Sequence, residues 1–250
     1  MSDSWTPLVA LAATLLPLLW VKRWITYSLQ ELSARWVGDA DVALVVYFVF
    51  VLPGVVVHEL SHWLMAKVLG VRVSKLSIGP VRKKRGSSVS LGSVRVGKVD
   101  PLRASLIGLA PLLGATAIIL IIGNLVLGVD DLARAVAGGG FEQIRAALAQ
   151  LVRVPDFWLW LYFIFAISNA MLPSESDMST VRPVLIFLGL ATAVYLIVAG
   201  VPSVSPQALA AVNTIAGYLA SAFGLTLAVD IFFALIIALL LAITRRAQGW

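Results

Sequence analysis

The most informative stretch of the chain is residues 42–69, VALVVYFVFVLPGVVVHELSHWLMAKVL. Only Glu59 and Lys67 carry a formal charge in it, and it is longer than the ~20 apolar residues that an α-helix needs to cross a bilayer. Ionisable groups inside such a segment are costly and usually mark function. The stretch therefore predicts a transmembrane helix with a candidate site around Glu59, which is flanked by His58 and His62.

Apolar segments dominate the rest of the chain as well. Of its 250 residues, 60% are hydrophobic and 13% are charged, and the mean hydropathy is +0.96. A soluble domain has about 45–50% apolar and about 25% charged residues. We therefore predict one all-α integral membrane domain over 1–250, with about five or six transmembrane helices. The long apolar runs lie at about 7–20, 42–69, 102–127, 157–172, 184–201 and 225–243.

The segments between the apolar runs predict the smaller elements. Tryptophans among charged residues at 21–41 are typical of an interfacial helix. Apolar residues spaced mostly by two at 71–98, on both sides of the basic stretch Arg82–Gly86, predict a small β-hairpin insertion. Residues 141–152 predict a short amphipathic helix, and 202–222 predict a loop with a modest helix. The run at 7–20 follows a start without Lys or Arg, so we expect it to be retained rather than cleaved as a signal peptide.

Basic residues predict the orientation of the chain. Nine of them lie between Arg72 and Arg103, which indicates a cytoplasmic position for the hairpin. The pair Arg245-Arg246 agrees with this topology, whereas Lys22-Arg23 falls on the other side. The net charge of +6 lies beside apolar segments, so we expect contact with anionic membrane lipid and no nucleic-acid partner. A compact chain without cysteine suits a prokaryotic plasma membrane, and the oligomeric state is not fixed by the sequence.

The two histidines of the chain, His58 and His62, form the pattern His-Glu-x-x-His with Glu59. On a helix, residues four apart share a face, so both imidazoles reach one metal ion. The glutamate is then placed to hold a metal-bound water and take its proton. Zinc suits this ligand set, and a catalytic zinc keeps one coordination position open for water. The competing interpretation is that the three polar groups hydrogen-bond to neighbouring helices.

Two histidines and a water leave one protein ligand to be found, and the chain has no third histidine and no cysteine. A carboxylate must therefore complete the site. We favour Asp177, because the predicted topology places it at the depth of the histidines and Pro173 ends the preceding helix. The other interpretation of Asp177 is a helix cap, and Glu175 is the alternative ligand. Asp230 is expected toward the opposite leaflet, paired with another polar group, and Asp100 is less suited.

The motif in an apolar helix, the hairpin after it and the later Asn, Pro and Asp resemble the site-2 protease family of intramembrane metalloproteases. The resemblance covers roughly residues 45–180, so a protease core at 42–183 with additional spans at 184–250 is expected. It implies peptide-bond hydrolysis in a transmembrane protein substrate near the cytoplasmic face. It also implies a role for each matching residue: His58, His62 and Asp177 bind zinc, Glu59 is the general acid and base, and Asn169 positions the substrate or stabilises the oxyanion.

The chain departs from the family's usual pattern, Asn-x-x-Pro-x-x-x-x-Asp-Gly. The distance from Asn169 to Asp177 is unchanged, but Pro173 is shifted by one position and Met178 replaces the glycine. No PDZ-like or CBS-like module is expected. Two other functions stay open: a zinc transporter with the same ligands, and a proteolytically inactive relative that binds membrane proteins. The hairpin would pair with an extended substrate segment or rest its basic turn on lipid.

Overall fold

The computed structural model describes residues 6–82, 89–200 and 205–248, and these form eight α-helices and one β-hairpin. Five of the helices (α1, α2, α3, α7 and α8) are long and apolar enough to cross a membrane, and the bent pair α5–α6 would raise the number to six. The predicted all-α polytopic membrane protein with a small β-hairpin is therefore confirmed. The elements are α1 (Thr6–Val37), α2 (Ala40–Val68), β1 (Val73–Arg82), β2 (Val89–Val96), α3 (Pro101–Ile121, continued by a π-helical turn over Ile122–Val126), α4 (Val129–Gly138), α5 (Phe141–Val152), α6 (Phe157–Met171), α7 (Glu175–Ala199) and α8 (Pro206–Ala247).

The N-terminal helix differs from the prediction. The sequence predicts an apolar segment followed by a separate interfacial helix, but α1 is one continuous helix of 32 residues. Its buried side chains recur every three or four positions and pack in the core against α8. Burial of such a stripe stabilises a helix more than local composition does, and composition alone could not reveal it. The stripe consists of Leu18, Val21, Ile25, Leu29 and Leu32.

The last two helices begin earlier than predicted. The sequence places the fifth span from residue 184, whereas α7 begins at Glu175. Residues 202–204 of the predicted loop with a modest helix at 202–222 lie outside the described residues, and from Pro206 onward the chain is one helix that continues into the last span. Both starts carry a serine cap: the Ser174 side chain accepts a hydrogen bond from a backbone N–H of α7, and Ser205 does the same for α8. Pro206 then occupies the first turn, where a missing N–H costs nothing. These caps explain why the two helices extend beyond their apolar runs.

Helices α2, α3 and α6 approach one another closely around the two histidines. A Cβ atom on Gly54 of α2 would stand 1.9 Å from the carbonyl oxygen of Ala166 in α6. A Cβ atom on Gly114 of α3 would stand 2.3 Å from the Ser61 hydroxyl of α2. A side chain at Gly54 would overlap the Ala166 backbone, and one at Gly114 would require the Ser61 hydroxyl to move, so glycine at both positions allows the helices that flank the site to approach closely.

The hairpin and the short helices complete the fold. Strands β1 and β2 are antiparallel, with Leu76 opposite Val94 and Ile78 opposite Gly92. Residues 83–86 of the predicted basic turn lie outside the described residues. Helix α5 confirms the predicted amphipathic helix, and α4 is a further short helix that the sequence analysis did not predict. The chain bends by 91° between α5 and α6.

Candidate metal centre

The two histidines project from one face of α2 toward a common point. Their Nε2 atoms lie 3.1 Å apart. The Nδ1 atom of His58 is 2.7 Å from the carbonyl oxygen of Ala170 in α6, and Nδ1 of His62 is 2.7 Å from that of Ile107 in α3. Because a carbonyl oxygen only accepts hydrogen bonds, each imidazole carries its proton on Nδ1. Both Nε2 lone pairs are then directed into the site, which is the usual arrangement of histidine ligands.

Asp177 closes the site from α7. Its Oδ2 lies 3.5 Å from Nε2 of His58, and its Oδ1 lies 3.3 Å from Nε2 of His62. The ligand atoms of these three residues all lie within 4.8 Å of one another, so the group could hold a metal ion. Glu175, the alternative ligand, is exposed in the first turn of α7, and among the described residues it is Asp177 that joins the histidines.

The predicted alternative for Asp177, a helix cap, is also present. Ser174 is the N-cap of α7, and its backbone N–H and its hydroxyl donate to Oδ2 of Asp177 at 2.8 and 2.6 Å. Leu172, the residue before Pro173, has an extended backbone, as proline requires of its predecessor. This ends α6 and turns the chain into α7. The capping hydrogen bonds hold Oδ2 of Asp177. They therefore orient the carboxylate, whose Oδ1 lies near His62.

The chemistry of the three groups fits a cation. With both Nδ1 atoms donating to carbonyls, the site brings two nitrogen lone pairs and one carboxylate together at 3.1–3.5 Å. All three are hydrogen-bond acceptors, and acceptors at such distances repel one another unless a positive charge lies between them. A metal ion or an added proton satisfies this arrangement. The interpretation of the histidines as interhelical hydrogen-bonding groups holds for the Nδ1 atoms and leaves the converging Nε2 atoms unexplained.

Glu59 lies beside the group and is covered by the hairpin. Its side chain is on α2 next to His58, and the residue is only 6% exposed. A Cβ atom on Gly92 of β2 would stand 2.6 Å from Oε1 of Glu59. Glycine at this position leaves the space that the Glu59 side chain occupies against β2, and the sequence analysis did not single it out. A glycine inside a predicted strand is the signal that could have found it.

A cavity of about 800 Å³ opens onto these residues. Its wall includes both histidines, Glu59, Asp177 and the residues of β2 from Leu91 to Val94. Asn169 also lines the cavity, and its amide Nδ2 donates to the Phe165 carbonyl at 2.7 Å, which leaves one amide hydrogen for another acceptor. The structure thus brings all five predicted site residues to one cavity.

The two remaining candidate carboxylates lie elsewhere. Asp100 is the N-cap of α3 and pairs with Arg103 at 3.4 Å. The Arg103 backbone N–H holds the pKa of the Asp100 carboxyl below its usual range. Asp230 is 0% exposed and bonds to Ser168 of α6, which confirms the predicted polar pairing. The expectation that Asp230 lies toward the opposite leaflet from the histidines is wrong. Its partner Ser168 is two residues before Ala170, about 3 Å along α6, and the Ala170 carbonyl contacts His58.

No family model, curated protein or solved structure matches this chain. The assignment of a function therefore depends on the geometry of the site.

Proposed function

We propose that this chain is an intramembrane zinc metalloprotease similar to the site-2 proteases. The observation that carries the proposal is the convergence of His58, His62 and Asp177 beside Glu59, at the wall of a cavity among membrane-spanning helices. Two histidines and a carboxylate are a known ligand set of catalytic zinc, which leaves a fourth position for water or substrate. Structural zinc sites are usually closed by four protein ligands, so a three-ligand set supports a catalytic role.

The hydrolysis divides its tasks among the residues of the chain. When bound, zinc would supply Lewis-acid polarisation of the scissile carbonyl and of a water molecule. Glu59 would take one proton of that water as its oxygen bonds to the carbonyl carbon, and would return the proton to the amine as the C–N bond breaks. Burial of Glu59 under β2 keeps its carboxylate beside the attack position. The second amide hydrogen of Asn169 would donate to the substrate carbonyl.

The hairpin supports a peptide as the substrate. In a two-stranded sheet each strand has one edge that is not used by its partner, and β2 lines the cavity. An extended peptide could add to that edge by backbone hydrogen bonds, as peptides do in β-augmentation. A transmembrane protein substrate unwound at this point would present its scissile bond between β2 and the end of α6. The basic residues of the hairpin region support a cytoplasmic position for this event, and we expect it in a prokaryotic plasma membrane.

Metal content per purified chain tests the site. Wild-type protein in detergent should carry about one zinc by plasma mass spectrometry, the Asp177→Ala variant markedly less, and the Glu175→Ala variant as much as wild type. The two substitutions remove carboxylates from the same turn of α7, so the comparison isolates the proposed ligand. Equal zinc in Asp177→Ala and wild type would remove Asp177 from the site, and no zinc in wild type after zinc is added back would refute the proposal.

Cleavage tests the chemistry. Single-span membrane proteins with a tag at each end, reconstituted with the enzyme, should be cut by wild type and left intact by Glu59→Gln, which keeps its zinc. A Glu59→Gln enzyme that cuts as fast as wild type would exclude the assigned base. Zinc flux into proteoliposomes, in the absence of cleavage, would favour the transporter instead.

A further inference from the structure

A second set of polar groups is buried in the helix bundle outside the candidate metal centre. It joins Lys22 of α1, Ser168 of α6 and Asp230 of α8, which are 5%, 0% and 0% exposed. Buried charges in a membrane protein are rare and usually have a role. The position of Lys22 within α1, between the buried Leu18 and Ile25, excludes an ordinary role as a charge at the end of a span.

These three residues form a connected chain of interactions. The Lys22 ammonium donates a hydrogen bond to the backbone carbonyl of Ser168, and the Ser168 hydroxyl lies 2.7 Å from Oδ1 of Asp230. Lys22 and Asp230 also interact electrostatically. Lys22 and Oδ1 of Asp230 therefore have partners, as burial in a low-dielectric interior requires, whereas Oδ2 of Asp230 has no hydrogen-bond partner among the described residues. The common point of contact is the last turn of α6.

That last turn is also the support of the metal centre. The last four carbonyls of a helix lack partners within the helix, and in α6 these belong to residues 168–171. The Ser168 carbonyl accepts from Lys22, and the Ala170 carbonyl accepts from Nδ1 of His58. One end of α6 is thus fixed to α1 by a lysine, and the same end orients a candidate metal ligand.

We infer that Lys22 and Asp230 are positioning residues of the metal centre. Lys22 holds the end of α6 at the place from which the Ala170 carbonyl orients His58, and Asp230 holds the Ser168 hydroxyl of the same turn and stabilises the charge of Lys22. The inference depends on the metal site of the proposed function, and it gives α1 and α8, which lie outside the expected core at 42–183, a role in building that site. Neither residue lines the cavity, so neither is expected to contact the substrate.

Titration with Co²⁺ alone tests the inference without a protease assay. The probe is purified full-length protein, stripped of metal and titrated while the visible d–d absorption of Co²⁺ is recorded. The test variant is Lys22→Met/Asp230→Asn, which removes both charges together because a single substitution would leave its partner charged and buried. The matched control is Glu31→Gln/Arg245→Gln, which removes an exposed ion pair between the same two helices, α1 and α8.

The test variant should bind Co²⁺ on the order of tenfold more weakly than wild type. This is the lower end of the loss of metal affinity seen when a group that orients a metal ligand is removed. Its d–d spectrum should change in intensity and shape, because a displaced His58 alters the coordination geometry. The control should match wild type in both, and the unfolding temperatures of variant and control should be similar. If the test variant does not accumulate in the membrane, Lys22→Gln/Asp230→Asn is measured in its place, with the same expectation.

The outcomes separate the two claims. A wild-type protein that binds neither Co²⁺ nor Zn²⁺ refutes the metal centre itself. If wild type binds Co²⁺ and the test variant matches it in affinity and spectrum, the positioning role is refuted while the metal centre stands. An equal loss of affinity in test variant and control also refutes the positioning role, since it would reflect general support by α1 and α8.

Discussion

Substitution of Gly92 by alanine would test whether β2 holds the Glu59 side chain where catalysis needs it. The new Cβ atom would stand 2.6 Å from Oε1 and Cγ of Glu59 and 2.8 Å from Cδ. Ordinary contacts begin near 3.4 Å, so relief of this overlap displaces the carboxylate by about 0.8 Å. Gly92 is not among the glycines with positive φ, so the strand itself tolerates alanine. We therefore expect the flexible glutamate to move and the fold to remain.

A displacement of this size has a predictable effect on the rate. A misplacement of about 1 Å can reduce catalysis by roughly 10²-fold, which corresponds to about 2.7 kcal/mol of transition-state stabilisation. The assay is cleavage of a tagged single-span protein that wild type cuts and Glu59→Gln does not. Zinc content and unfolding temperature, measured on the same samples, should stay at their wild-type values, because the ligands and the helix contacts are untouched.

Gly97→Ala is the matched control for this prediction. Gly97 directly follows β2, and its Cβ atom would meet the Arg72 carbonyl at 3.6 Å, an ordinary contact. This variant should cleave like wild type. Wild-type activity in Gly92→Ala would refute the idea that β2 fixes the position of the catalytic carboxylate, and loss of zinc in that variant would show that β2 supports the ligands instead.

Three further predictions concern the helices and the ligands. Gly54→Ala should lower the free energy of unfolding by at least about 2 kcal/mol, because the new Cβ atom would overlap the backbone of Ala166 and force α2 away from α6. The loss is measured as a lower unfolding temperature in detergent. Gly189→Ala, whose Cβ atom would meet no atom within 4 Å, is the control. Ser174→Ala should weaken zinc binding roughly 10- to 100-fold, because Asp177, the proposed third ligand, loses the hydroxyl that orients it. Ser205→Ala removes an equivalent helix cap away from the site and should leave the zinc affinity unchanged. Zinc affinity should fall as the pH is lowered, because protons compete for both Nε2 atoms; equal affinity at pH 5 and pH 8, by competition with a chelator, would contradict histidine ligation.

The sequence predicted the candidate site because local spacing determines most of it. His58 and His62 share a helix face whatever the surroundings, and this follows from the four-residue interval alone. Asp177 was predicted from the end of a span and a following proline, which are also local signals. Gly92 was missed because its importance arises from the approach of β2 to Glu59, a contact between segments far apart in the sequence.

The errors in the fold prediction have the same origin. Lys22 in the sequence is indistinguishable from a basic residue at the end of a span, and this suggested a break between the first apolar run and an interfacial helix. The structure places Lys22 inside one continuous helix, where the Ser168 carbonyl and Asp230 are its partners. Lys22 is therefore not a charge in a loop, and the positive-inside rule does not apply to it. Of the pair Lys22-Arg23, only Arg23 still conflicts with the predicted orientation. Hydropathy cannot predict such a residue, because its partners lie on other helices.

We expect the shortness of α6 to set how deep in the membrane the candidate site lies. Fifteen residues span about 22 Å, whereas the hydrocarbon layer is about 30 Å thick. Amphipathic α5 joins α6 at nearly a right angle, as expected of a helix that lies along the membrane surface and anchors the start of α6 there. The other end of α6, with Asn169 and Ala170, would then stop about 8 Å short of the opposite surface. We expect the scissile bond to be chosen by its distance from the surface at α5, so that lipids with longer acyl chains would shift the cut along a substrate helix.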